Sequence, residues 1–176
     1  MGDIRSNFLL PEKPMSQSRL NLIAGCCAQG MKKVQLEMGG KNPMVVTARA
    51  DVDLAVGVCL NGSFFSIGQR CTASSGRIVE ERVQPEFTDR LVAAMGALRI
   101  GDPLDPVTQI DPVVSEVRLS GNLDYVRLAG EEGCEVIGGR HLNRPGSFQA
   151  PALFLGARND LRVAREERRP ARSRDR

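Results

Sequence analysis

Tryptophan is absent from this 176-residue chain, tyrosine and histidine occur once each, and no two cysteines stand at CxxC spacing. Each shortage excludes something. One His and five scattered Cys give neither a zinc ligand set nor a disulfide framework, so reduced thiols are expected. With six Phe and one Tyr as the only aromatics, the core must rest on Val, Leu, Ile, Ala and Met, which suits α/β layer packing. Near the N-terminus the only apolar run is Phe8 to Leu10, too short for a signal peptide or a membrane span. A cytoplasmic protein with no membrane partner is the expectation.

What is present suffices for one ordinary core, with 41% hydrophobic and 26% charged residues. The net charge of +3 is local in origin, because seven Arg fall between Arg162 and Arg176 and the remainder is slightly acidic. That Arg-rich stretch contains no aromatic residue on which a base could stack, so no nucleic-acid partner is expected. From Arg165 onward the alternation of apolar and polar residues stops, as in a disordered tail.

Periodicity organises the rest. Leu20, Ile23, Ala24, Cys27 and Met31 predict a helix behind a Ser18 cap that ends near Gly30. Extended segments are predicted at Val34 to Met38 and Met44 to Thr47, broken by Gly39-Gly40-Lys41-Asn42-Pro43. Asp51 opens a buried helix with Leu54, Ala55, Val58 and Cys59 on one face, running to the Phe64-Phe65 pair. A strand at Arg77 to Val79 and a helix from Pro85 to Leu98 follow, with Phe87, Leu91, Val92, Met95 and Leu98 inward. Gly101 to Val113 reads as an extended surface connection. Beyond it come a helix at Val117 to Glu131 and strands at Glu135 to Ile137 and Leu153 to Leu155. The alternation predicts an α/β fold with a mainly parallel sheet covered by helices.

Two segments combine a reactive side chain with small residues. In Leu36-Glu37-Met38-Gly39-Gly40-Lys41-Asn42-Pro43 a carboxylate ends an apolar strand, where desolvation favours a general base. In Phe64-Phe65-Ser66-Ile67-Gly68-Gln69-Arg70-Cys71-Thr72-Ala73-Ser74-Ser75 a thiol follows a Gly-Gln-Arg turn, the kind of group that forms covalent acyl intermediates. Taken singly, a buried Cys is usually a small hydrophobe and a strand-end Glu a solvated residue. His141 reads as part of a surface loop, Cys26 and Cys27 as one core and one surface thiol, and Gly39-Gly40 lacks the spacing of a phosphate loop.

Together, and 34 positions apart (71 minus 37), the two segments resemble the signature segments of the aldehyde dehydrogenase superfamily. The resemblance runs from about Ser18 to Glu167 and includes Gly101 to Glu116, Cys134 to Gly139 and the stretch from Pro151. It implies a catalytic domain at 38–165, a remnant of the Rossmann-like cofactor domain at 18–37, an unmatched segment at 1–17 and an Arg-rich tail at 166–176. It implies Cys71 as nucleophile, Glu37 as general base, and Glu167 and Gly39 as contacts to NAD or NADP. The substrate would be an aldehyde, and the wording is similar to enzymes of 2-oxoglutarate semialdehyde. Family members are homo-oligomers.

The family's upstream Trp-Asn pair, ribose-contacting Lys and Gly-rich pyrophosphate turn have no counterpart. Gly76-Arg77 stands where the family more often has Arg and an apolar residue. The termini are expected to be products of truncation or frame shift, which an undisturbed reading frame at the encoding locus would overturn. An inactive truncated product and a thiol-dependent esterase without cofactor are the alternatives.

Overall fold

The structure, a computed structural model, describes residues 15–35, 40–68 and 70–166. The chain divides into two compact units, 1–39 and 40–176. In the first, helix α1 spans Met15–Gln29. Ser18 lies inside this helix instead of capping it, and of the predicted stripe Ala24 and Cys27 are half-buried while Ile23 is exposed. The helix stops where expected. Met31 takes a positive φ of 52°, and the amide of Lys32 donates to the carbonyl of Cys27 at 2.9 Å. Residues 32–35 are irregular, and the rest of the strand expected at Val34 to Met38 lies outside the described residues.

The second unit opens with strand β1 (Asn42–Val46), helix α2 (Val52–Ser63) and strand β2 (Ser74–Val79). The strands pair in parallel, with Val45 opposite Ile78 and Val46 opposite Val79, so the segment is a βαβ unit. Asp51 caps α2 by accepting the amide of Leu54 at 3.0 Å, as its position before the apolar run suggested. The buried face differs from expectation. Ala55, Val56 and Cys59 face inward, while Leu54 and Val58 are exposed.

Helix α3 (Gln84–Gly96) starts with Pro85 in its first turn and turns Phe87, Leu91 and Met95 into the core. These side chains meet Val46, Ala55, Val56 and Cys59, so α2 and α3 cover the face of β1 and β2 that carries Met44, Val46 and Val79. The other face leaves Val45 and Ile78 exposed and adjacent in register.

The connection from Gly101 to Val113 is tied down. Asp102 and Asp105 accept the amides of Leu104 and Val107, Arg99 Nε donates to the carbonyl of Val107, and Ile110 and Val113 are buried. Helix α4 (Glu116–Glu131) follows, capped by Ser115, whose hydroxyl accepts from the amide of Arg118. Strands β3 (Glu135–Gly138) and β4 (Ala152–Leu155) form an antiparallel pair beside the parallel one. Gly138 is required there: its φ is +76°, and a Cβ would sit 2.1 Å from the carbonyl oxygen of Pro151. Leu153, Leu155 and Ile137 pack on the main core, so both strand pairs share one interior.

A smaller cluster of Ala129, Cys134 and Val163 holds helix α5 (Arg162–Arg165), whose first amides donate to the Glu132 carboxylate. In the turn before α5, Arg158 bonds both oxygens of Asp160 at 3.0 and 2.8 Å, and this hydrogen bonding holds the Asp160 carboxyl below its ordinary range. A depressed folded-state value stabilises above the unfolded value and is lost as pH falls through the folded one. Arg158→Ala is therefore expected to move the Asp160 titration upward, as read by side-chain carbonyl NMR.

Candidate active site

Cys71 sits in the turn between a short 3-10 segment (Phe65–Gly68) and β2, and it is exposed. The chain reaches this turn through Gly68, whose φ is +64° and whose Cβ, if it had one, would lie 2.7 Å from the carbonyl oxygen of Ser63. Only glycine reverses the chain there without strain. The Arg70 guanidinium then bonds back to the carbonyl and the side-chain oxygen of Asn61 in α2, and the amide of Ala73 donates to the carbonyl of Arg70 at 3.0 Å. The thiol is thus carried on a closed turn anchored to the preceding helix.

A second anchor comes from β1. Asn42 Nδ2 donates to the carbonyl of Cys71 at 2.8 Å and to that of Ala73 at 3.2 Å. The reason lies in the sequence. Pro43 has no N–H for the ladder, the register slips between Asn42 and Pro43, and the Asn42 amide supplies the two donors instead. Since Asn42 is five residues after Glu37 (42 minus 37), this side chain links the two segments singled out by sequence. Sequence reading passed over it as part of a turn signal. The usable clue was an amide side chain directly before a proline at the start of a strand.

Each hydrogen bond of this kind is worth about 0.5–1.5 kcal/mol. Asn42→Ala should therefore destabilise the fold modestly. Asn42→Asp should cost more, because a carboxylate would face two carbonyl oxygens. Melting curves check the order, and peptide-resolved alkylation by iodoacetamide should show an altered rate at Cys71 with buried Cys59 and Cys134 unchanged.

Glu37, Gly39 and Glu167 lie outside the described residues, so of the predicted site residues the structure positions Cys71 alone. The segment that would lead to Glu167 is itself fastened near β1. Lys41 Nζ donates to the carbonyls of Val163 and Glu166, and Tyr125 donates to the Glu166 carboxylate at 2.8 Å. His141 is exposed and bridges to Gln149 across the loop, as a surface-loop residue would. Among the described residues no three His, Cys, Asp or Glu are grouped to hold a metal, and no helix is long and apolar enough to cross a membrane.

A dinucleotide needs helix-end amides free to meet its pyrophosphate. The first turns of α2, α3 and α4 carry Asp53, Glu86 and Glu116, which oppose an anion there. These three helix starts are therefore not preformed for a pyrophosphate. A cleft of about 650 Å³ at the C-terminal ends of β1 and β2 is lined by Arg49 and Arg82 but also by Glu80 and Glu86, and Cys71 is at the opposite ends of these strands.

The structure therefore presents an α/β unit with an exposed thiol on a closed turn, held by the strand that follows a Glu-Met-Gly-Gly segment. Residues 16–168 match the model described as the aldehyde dehydrogenase family, and the chain belongs to that family. It is 35% identical over 147 residues to mitochondrial 10-formyltetrahydrofolate dehydrogenase of Mus musculus, covering 83% of this chain and 16% of that protein. Succinate-semialdehyde dehydrogenase from Burkholderia pseudomallei has a similar structure, with a TM-score of 0.80 and 28% identity over 85% of this chain and 31% of that one. Betaine aldehyde dehydrogenase from Staphylococcus aureus in complex with NAD+ gives a TM-score of 0.79 and 29% identity, covering 85% and 31%. The chain thus spans less than a third of the length of each of these proteins.

Proposed function

We propose that this chain carries the nucleophile and general-base part of an NAD(P)-dependent aldehyde dehydrogenase that converts an aldehyde to a carboxylate through a thioester on Cys71. The observation that carries the reading is the double hydrogen bond from Asn42, which fastens the Cys71 turn to the strand that Glu37 precedes. The Cys71 thiolate adds to the aldehyde carbon, and the amide N–H of the same residue is a donor for the oxyanion that forms. Glu37 takes a proton from the water that hydrolyses the thioester. Between these steps the thiohemiacetal on Cys71 must lose a hydride to become the thioester, and NAD(P)+ would accept that hydride when bound, with Gly39 and Glu167 among the residues that would hold it.

The substrate we favour is the semialdehyde of a dicarboxylic acid, such as 2-oxoglutarate semialdehyde. The wording of the Lys32 to Pro43 segment and the similarity to a succinate-semialdehyde dehydrogenase support it. We also take the assembly to be a homo-oligomer. A second reading has its own support: an exposed Cys71 on an anchored turn suits hydrolysis of an activated ester without cofactor. One experiment separates them. Aldehyde-dependent NAD(P)H formation that requires Cys71 supports the dehydrogenase, ester hydrolysis alone supports the esterase, and neither activity overturns both.

A further inference from the structure

Helix α5 is a single turn of four residues, and a helix that short does not hold itself together in water. It is fastened from outside at both ends. At its start the carboxylate of Glu132, the residue that closes α4, accepts the amides of Arg162 at 3.0 Å and Val163 at 3.2 Å. A helix leaves its last carbonyls without partners of its own. Here the Lys41 ammonium donates to those of Val163, at 2.7 Å, and Glu166, at 3.2 Å. Tyr125 and Arg162 hold the Glu166 carboxylate as well. Lys41 thus reaches residues 122 and 125 positions away, and it directly precedes Asn42, which holds the carbonyls of Cys71 and Ala73.

Two adjacent residues at the start of β1 therefore hold two segments that are remote in sequence. One carries the proposed nucleophile, and the other leads directly into Glu167. Positions 41 and 42 are joined by one planar, nearly rigid peptide unit, and β1 is paired with β2 from Asn42 onward, so a shift at one position is passed to the other. We propose that Lys41 is a positioning residue for Cys71. By fastening 163–166 to the start of β1 it keeps Asn42 where that side chain closes the thiol turn, and the two segments tighten and loosen together. The inference rests on the proposed role of Cys71 as nucleophile and adds to it a residue that acts through Asn42.

The test uses the full chain and the variants Lys41→Met, Lys41→Arg, Asn42→Ala and Glu132→Ala. Amide hydrogen exchange is followed at Ala73, whose amide bonds the carbonyl of Arg70, and at 162–166, with α3 as the reference for global unfolding. Lys41→Met should speed exchange at Ala73 by at least about three-fold, and Asn42→Ala should do the same at 162–166, because coupling between two sites is reciprocal. Glu132→Ala, which releases α5 from its other end, should also speed exchange at Ala73. Lys41→Arg, which keeps a cation beside the carbonyls, should leave both regions within about two-fold of the parent. Hydrolysis of p-nitrophenyl acetate adds the functional readout: Lys41→Met should lower kcat by at least about three-fold and change KM by less than about two-fold. Faster exchange confined to 162–166 in Lys41→Met overturns the inference, as does equal speeding in α3, which is general loss of stability. An unchanged kcat in Lys41→Met beside an active parent overturns it too. A parent with no Cys71-dependent hydrolysis overturns the role of Cys71 itself, so the two failures are distinct.

Discussion

Cys71→Ser is expected to lower thiol-dependent turnover by at least about a thousand-fold, because a serine hydroxyl is scarcely ionised near neutral pH whereas the proposed reaction needs a thiolate. The assays are hydrolysis of p-nitrophenyl acetate and aldehyde-dependent reduction of NAD+ or NADP+. The same variant should melt within about 0.5 kcal/mol of the parent, since Cys71 is exposed and the turn is held by its backbone. Loss of activity with the melting curve unchanged places the effect in chemistry. Retention of ester hydrolysis in Cys71→Ser would move the nucleophile elsewhere, with exposed Cys26 the first candidate to replace in turn.

Phe87→Ala is expected to have the largest effect on stability. Phe87 is only 2% exposed and packs in the cluster that joins α2, α3 and both strand pairs. Truncating such a ring typically costs about 3–5 kcal/mol, a large share of the roughly 5–15 kcal/mol that holds a domain folded. Leu54→Ala in α2 is the control. At 67% exposed, Leu54 should change stability by no more than about 0.5 kcal/mol. A urea titration of both variants reads the contrast, and equal midpoints would mean that the core described around α3 is not the one that holds the fold.

That contrast also marks what a sequence can convey. The start of α2 was legible because Asp51 has a local job at a helix end. The buried face of α2 was not. Val52 to Leu60 is apolar almost all round, so a helical period cannot say whether Leu54 and Val58 or Val56 faces inward, and tertiary contacts decided for Val56. In α3, where Glu86, Asp89 and Arg90 mark the wet side, Phe87, Leu91 and Met95 were legible as core. For the site, Cys71 stood out through its chemical type and its neighbours. Asn42 did not, because its function is to hold two carbonyl groups 29 and 31 residues away, and only the register of β1 on β2 brings them together.

The parallel pairing of β1 with β2 also bears on the order of events during folding. Hairpins can close as soon as two neighbouring segments exist, but β1 can pair with β2 only once the whole intervening α2 segment has been made and brings the chain back. The bonds from Asn42 to Cys71 and Ala73 belong to this late closure. A nascent or partly unfolded chain therefore has its thiol without the turn that aims it.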